Sequence, residues 1–183
     1  MAHNTKEIIA NLTGAQARTV LGRLAGRRGT VTKAVSEEVL RVVEIVDVEK
    51  IGTSLWHSLE CIDVEDCWDR SGKQRYGGYV SPDDAAFDLI EEALFPFRQE
   101  LKKYIDLQFP LQAEAYCRGI IRGLYRFEYE SHTDFTDWCA EIPESCADSI
   151  MHEWKKSIHP GTDTSPMDEF FQDLCPDWEF LYK

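Results

Sequence analysis

At 183 residues, 43% of them hydrophobic, the chain is long enough for one substantial core and too apolar for disorder. No apolar run approaches the ~20 residues that cross a bilayer, and Met1-Ala2-His3-Asn4-Thr5-Lys6 leads straight into a polar helix start without a secretory h-region, so a cytoplasmic protein is expected. The net charge of −13 disfavours nucleic acid and anionic membrane as direct partners, because both are themselves polyanions.

The elements read as helices from end to end. Asn4-x-x-Glu7 has the form of a capping box and opens a short helix with Ile8, Ile9 and Leu12. Thr13-x-x-Gln16 opens a second, with Ala17, Val20, Leu21 and Leu24 on one stripe and Gly26 and Gly29 at its end. Residues 31–46 are rich in β-branched side chains, but Val35, Val39, Val42 and Val46 keep helical spacing and predict a helix. Asp47 caps the next, which aligns Ile51, Leu55 and Leu59, and Asp63-x-x-Asp66 opens a short turn with Val64 and Trp68.

Residues 70–80 are the least helical interior stretch. Ser81-Pro82-Asp83-Asp84 is the cleanest start signal in the chain: a capping hydroxyl, a proline where an N–H is dispensable, then carboxylates at the positive helix end. The helix it opens presents Ala86, Ile90, Ala93, Leu94, Phe97, Leu101 and Tyr104 inward, and Pro96 is expected to kink or split it. Pro110 opens a long helix in which Gly119 and Gly123 let a neighbour approach closely. Shorter helices follow over roughly 134–140, from Pro143 and from Ser165-Pro166, with Cys175-Pro176 as a stop. The aromatic tail 177–182 is expected to fold back on the body or to enter a partner's groove.

These starts have no constant period, and no tetratricopeptide or ankyrin consensus is legible. The fold class expected is all-α: an irregular helical bundle or a degenerate helical-hairpin array of tetratricopeptide-like or HEAT-like kind. A single domain over 1–183 is expected, made of basic N-terminal helices (1–33), a main helical body (34–158) and a C-terminal helix with its aromatic tail (159–183). Residues 1–33 carry six cations against Glu7 alone, a net +5, and the other 150 residues carry 14 cations and 32 anions, a net −18. The basic head is expected to pair with the acidic remainder of its own chain, and otherwise with an acidic partner.

The segments Leu-Trp-His (55–57), Cys-Trp-Asp-Arg-Ser-Gly (67–72), Gly-Tyr-Val-Ser-Pro (78–82) and Ala-Tyr-Cys-Arg-Gly-Ile-Ile-Arg-Gly-Leu-Tyr-Arg-Phe-Glu (115–128) are similar to those of a group of prokaryotic all-helical proteins that accompany larger partners, SWIM-type zinc-finger proteins among them. The resemblance spans about residues 47–158. It implies a helical adaptor and brings no catalytic residues with it.

Six cysteines (61, 67, 117, 139, 146 and 175) form no C-x-x-C pair, and most fall on or beside apolar positions, where a reduced thiol acts as a small hydrophobe. His57 and Cys61, four apart on one helix face, are the first candidate metal ligands, with Cys67, His132, Cys139, Cys146 and His152 further on. The tight knuckles of structural zinc sites are absent, and no metal or other cofactor is expected. Cys139 with His132 is the one local nucleophile pairing, set among carboxylates that raise a thiol's pKa. The glycines of 70–80 lack the P-loop spacing.

The function expected is therefore non-catalytic: a protein-interaction adaptor or regulatory subunit of a larger prokaryotic complex. Its candidate partner-binding residues are Arg70, Arg75, Tyr76 and Tyr79 of the loop, the row Arg118, Arg122 and Arg126, and the tail residues Trp178, Phe180 and Tyr182, since Arg and aromatic side chains dominate interface energetics. The alternatives are an acidic nucleic-acid mimic that inhibits an enzyme, and a metal-binding protein using His57 and Cys61.

Overall fold

The computed structural model describes residues 5–27, 29–43, 46–73, 78–159 and 161–181, with side chains at all of these except 40, 42, 43 and 179. The all-α expectation holds, with helix over most of the described residues and one two-stranded ribbon. The chain divides into two compact units, Met1–Ile45 and Val46–Lys183.

The first unit holds α1 (Thr5–Ala10), α2 (Gly14–Ala25) and α3 (Thr30–Val43). Asn4 of the expected first capping box lies outside the described residues. The second box is formed: the Thr13 hydroxyl accepts from the Gln16 N–H at 3.3 Å, and the Gln16 side chain accepts from the Thr13 N–H at 2.9 Å. The valine-rich stretch is helical as α3, and it packs against α2. Among the described residues of this unit none is buried.

The second unit runs through α4 (Val48–Glu60), α5 (Val64–Arg70), the strands β1 (Gly72–Lys73) and β2 (Tyr79–Val80), α6 (Pro82–Asp106), α7 (Pro110–Glu130), a 3-10 helix at Asp134–Trp138, α8 (Ile142–Ser157), α9 (Ser165–Leu174) and a second 3-10 helix at Pro176–Leu181. The Asp47 side chain caps α4 by accepting from the Lys50 N–H at 3.0 Å. Ser81 and Asp84 close a full capping box on α6.

Helix α7 is the centre, packed on α4, α6, α8 and α9. Its Cys117, Ile120, Ile121, Leu124 and Phe127 are fully buried, as are Leu55 and Leu59 of α4, Ile90, Leu94 and Leu101 of α6, and Ile150 of α8. The α4–α7 crossing is a glycine seam. A Cβ at Gly119 would stand 2.7 Å from the Ile51 Cβ, and one at Gly123 would stand 2.8 Å from the Gly52 carbonyl oxygen. The close approach expected from Gly119 and Gly123 is thus made, with Gly52 as the third member.

Two expectations are corrected. Pro96 does not split its helix: α6 is continuous from Pro82 to Asp106. Pro96 is exposed, so the Glu92 carbonyl deprived of its donor lies on the outer side of the helix, away from the inward stripe. Residues 134–138 form a 3-10 helix rather than a short α-helix.

Candidate functional site

The expected contact loop begins where α5 ends. The Arg70 guanidinium forks onto Glu92 of α6, its two terminal nitrogens donating to the two carboxylate oxygens at 2.6 and 2.9 Å. That bidentate bond is the first cause holding the Glu92 carboxyl below its usual range, and it raises Arg70 in turn. Beyond it, β1 and β2 pair antiparallel, Gly72 opposite Val80 and Lys73 opposite Tyr79. Gly72 and Gly78 adopt φ of 100° and 92°, the left-handed region that other residues avoid, the first opening β1 and the second leading into β2. Tyr79 stands out from it, 70% exposed. Arg75 and Tyr76 lie outside the described residues.

Further aromatic side chains are exposed on the helices that flank the ribbon in sequence. Trp68 of α5 is 51% exposed and meets the Trp138 ring edge-on at 6.2 Å. Phe87 and Phe95 lie on the outer side of α6, 42% and 61% exposed, beside Asp84, Asp88 and Glu92. Arg70 ties α5 to this helix, and β2 runs into it through Ser81. Phe87 and Phe95 are not among the residues expected to bind, although both fall off the inward stripe by one residue, and that displacement is the signal by which they are found.

The arginine row is committed within the chain. Arg118 faces Glu114 at 3.7 Å, and Arg122 lies 3.9 Å from Glu49 and 3.6 Å from Glu130 and donates to the Leu174 carbonyl at 3.0 Å. Arg126 donates to Glu130 at 2.9 Å and to the Thr53 hydroxyl at 3.1 Å, its guanidinium 4.2 Å from the centre of the Trp56 ring. All three side chains are mostly buried, so the row joins α7 to α4 and to the end of α9.

The C-terminal aromatics divide. Trp178 is fully buried, edge-on to Tyr125 at 5.3 Å, and presents no surface to a partner. The Tyr125 hydroxyl donates to Asp177 at 2.6 Å, and Lys155 donates to the Leu181 carbonyl at 2.9 Å, so the tail is folded back onto α7 and α8. Phe180 is 53% exposed. Tyr182 lies outside the described residues.

The ionisable groups that suggested chemistry are dispersed. His57 and Cys61 are both exposed, His57 resting against Trp56 with ring centres 4.8 Å apart. Among the described residues no three His, Cys, Asp or Glu side chains are grouped as metal ligands would be. Burial pushes the Cys139 thiol up to about 12, with Glu128 adding to the shift, and does the same for Cys146 and Cys175. Cys67 and Cys117 are raised by burial as well. These five thiols are therefore protonated hydrophobes at neutral pH.

No helix among the described residues is long and apolar enough to cross a membrane. Comparison with family models, with curated proteins and with solved structures gives no match to this chain.

Proposed function

We propose that this protein is a non-catalytic adaptor that holds a protein partner through the aromatic surface of α5, β2 and α6. The observation that carries the reading is the exposure of Trp68, Tyr79, Phe87 and Phe95 on consecutive elements, two of which the Arg70–Glu92 fork ties to each other. Large aromatics left in water beside charged groups are the composition of an interface centre with a polar rim. Of the residues expected to bind, Arg70, Tyr79 and Phe180 remain at the surface, and the buried Trp178 and the arginine row serve the fold. Asp88 adds a carboxylate to the rim and favours a partner with basic side chains around an apolar pocket, Asp84 and Glu92 being held by Ser81 and Arg70.

The test compares partner recovery by wild-type protein with recovery by Tyr79→Ala and Phe95→Ala in extracts of the native host. Both substitutions are expected to reduce recovery of the same partner by about tenfold or more, as truncating a central interface aromatic does. Both should leave the melting temperature within ~1 °C, because exposed side chains contribute little to stability. Undiminished recovery with both variants would refute the assignment of this surface.

A further inference from the structure

A cavity of the second unit, separate from the aromatic surface of α5, β2 and α6, lies where the end of α6, the start of α7 and the end of α8 meet. It measures about 370 Å³, within the ~300–1,000 Å³ of small-molecule sites. Its walls are the rings of Tyr104, Phe109 and Trp154 with Ile105, Ala113 and Ile158. Ala113 and Trp154 are buried, and the Tyr104 ring rests against Tyr116 with centres 5.6 Å apart. The polar side chains on the cavity are Gln108, Ser157 and His159, and none of the lining residues is a carboxylate, an ammonium or a guanidinium.

The corner that carries Gln108 has an unusual occupant. The Phe109 N–H donates to the Tyr104 carbonyl and the Gln108 N–H to the Ile105 carbonyl, both at 3.0 Å, the pair of reversed bonds that ends many helices. That pattern holds Gln108 at φ 57°, where glycine is the usual residue because it has no Cβ to crowd the backbone. Here the position carries a long amide that lines the cavity, which glycine could not supply.

We propose that this cavity binds an uncharged, planar heteroaromatic molecule edged by an N–H or O–H group. A flat ring can meet Tyr104, Phe109 and Trp154 in the offset or edge-on arrangements that aromatic pairs favour. Gln108 supplies a donor and an acceptor for the edge of that ring. The Ser157 hydroxyl donates to the Trp154 carbonyl at 2.7 Å, which leaves its oxygen to accept from the ligand. A formal charge on the ligand would lose its water with no opposite charge in the lining to replace it. Lys103 already stands over the Tyr104 ring at 5.9 Å, which disfavours a cation there. The groove that adjoins the cavity at Ile105 and Ser157 holds Lys102 and Lys156, but Glu153 lines it too and Asp106 stands 3.1 Å from Lys102, so it is a poor anchor for an anion.

The test is calorimetric titration of the full chain with indole, which has the ring, the N–H and no charge. One saturable site per chain is expected, with a dissociation constant of about 1 mM or lower. Indole-3-carboxylate and tryptamine, its anionic and cationic relatives, should each bind about tenfold more weakly or worse. Gln108→Gly should weaken indole by about fivefold, the loss of its hydrogen bonds, and yet hold the melting temperature level or raise it, because glycine suits that backbone. Ile158→Trp, which fills the cavity, should abolish binding, and if that variant does not fold, Gln108→Gly decides alone. A chain without a saturable site for indole overturns the proposal. Binding that Gln108→Gly or a folded Ile158→Trp leaves unchanged overturns it as well, and so does binding of either charged relative as tight as that of indole.

Discussion

Glu128 shows how one buried carboxyl sets a pH dependence. It lies half-buried near the end of α7, beside the Trp178 indole, Tyr129 and the Glu144 backbone, whose hydrogen bonds only partly offset the effect of burial. Burial, and after it the charge of Glu144, raises its pKa above the usual carboxylate value of 4.5. A carboxyl with a raised pKa binds its proton more tightly in the folded chain than in the unfolded one. Its contribution therefore favours folding as pH falls from above the raised folded value toward 4.5, and opposes it at neutral pH. Glu128→Gln, which keeps the shape and removes the charge, is expected to raise the melting temperature at pH 7 by a few degrees (~2–4 °C). That gain should shrink as pH falls through the raised folded value and be lost below 4.5, and thermal melts of both proteins across the range check it. The sequence offers no sign of this residue, because one acid among 33 is not marked as buried by anything in its own neighbourhood.

At the scale of elements, the α4–α7 crossing depends on hydrogen atoms where side chains would stand. A methyl group at Gly123 would lie 2.8 Å from the Gly52 carbonyl oxygen and 2.9 Å from the Leu55 Cβ, so the helices would have to separate. Gly123→Ala is expected to destabilise the chain by about 1–3 kcal/mol in spite of alanine's better helix propensity. Urea unfolding measures it, and the midpoint should fall with little change in slope. This crossing was legible from Gly119 and Gly123, as were the caps at Thr13, Asp47 and Ser81, because each signal is complete within a few residues. The ribbon was not: two strands of two residues each are too short to show alternation. The fate of Pro96 was hidden too, since whether a proline breaks a helix depends on which side of it meets water. The packing of the arginine row and of Trp178 within the chain was not legible for a related reason. Arg at every fourth position and an aromatic tail look the same whether they face a partner or a neighbouring helix of the same chain, and only tertiary packing decides.

Across the whole molecule, stability is divided unevenly between the two units. The second holds the buried core, and residues of its second 3-10 helix and the turn before it complete that core, with Cys175 and Trp178 fully buried and Leu181 nearly so. Trp178→Ala is expected to cost about 3–5 kcal/mol, the range for truncating a large buried aromatic. It should also expose the face of Tyr125 against which the indole packs edge-on, a change that tyrosine fluorescence and near-ultraviolet circular dichroism detect. The buried indole has a further consequence for how the chain comes into being. Synthesis proceeds from the N-terminus at ~5–20 residues per second, and domains ordinarily fold as they emerge. Here the unit from Val46 onward cannot close until Trp178 and Leu181 have cleared the ribosome, so a nascent chain stalled before them leaves the Tyr125 side of α7 bare and open to chaperones.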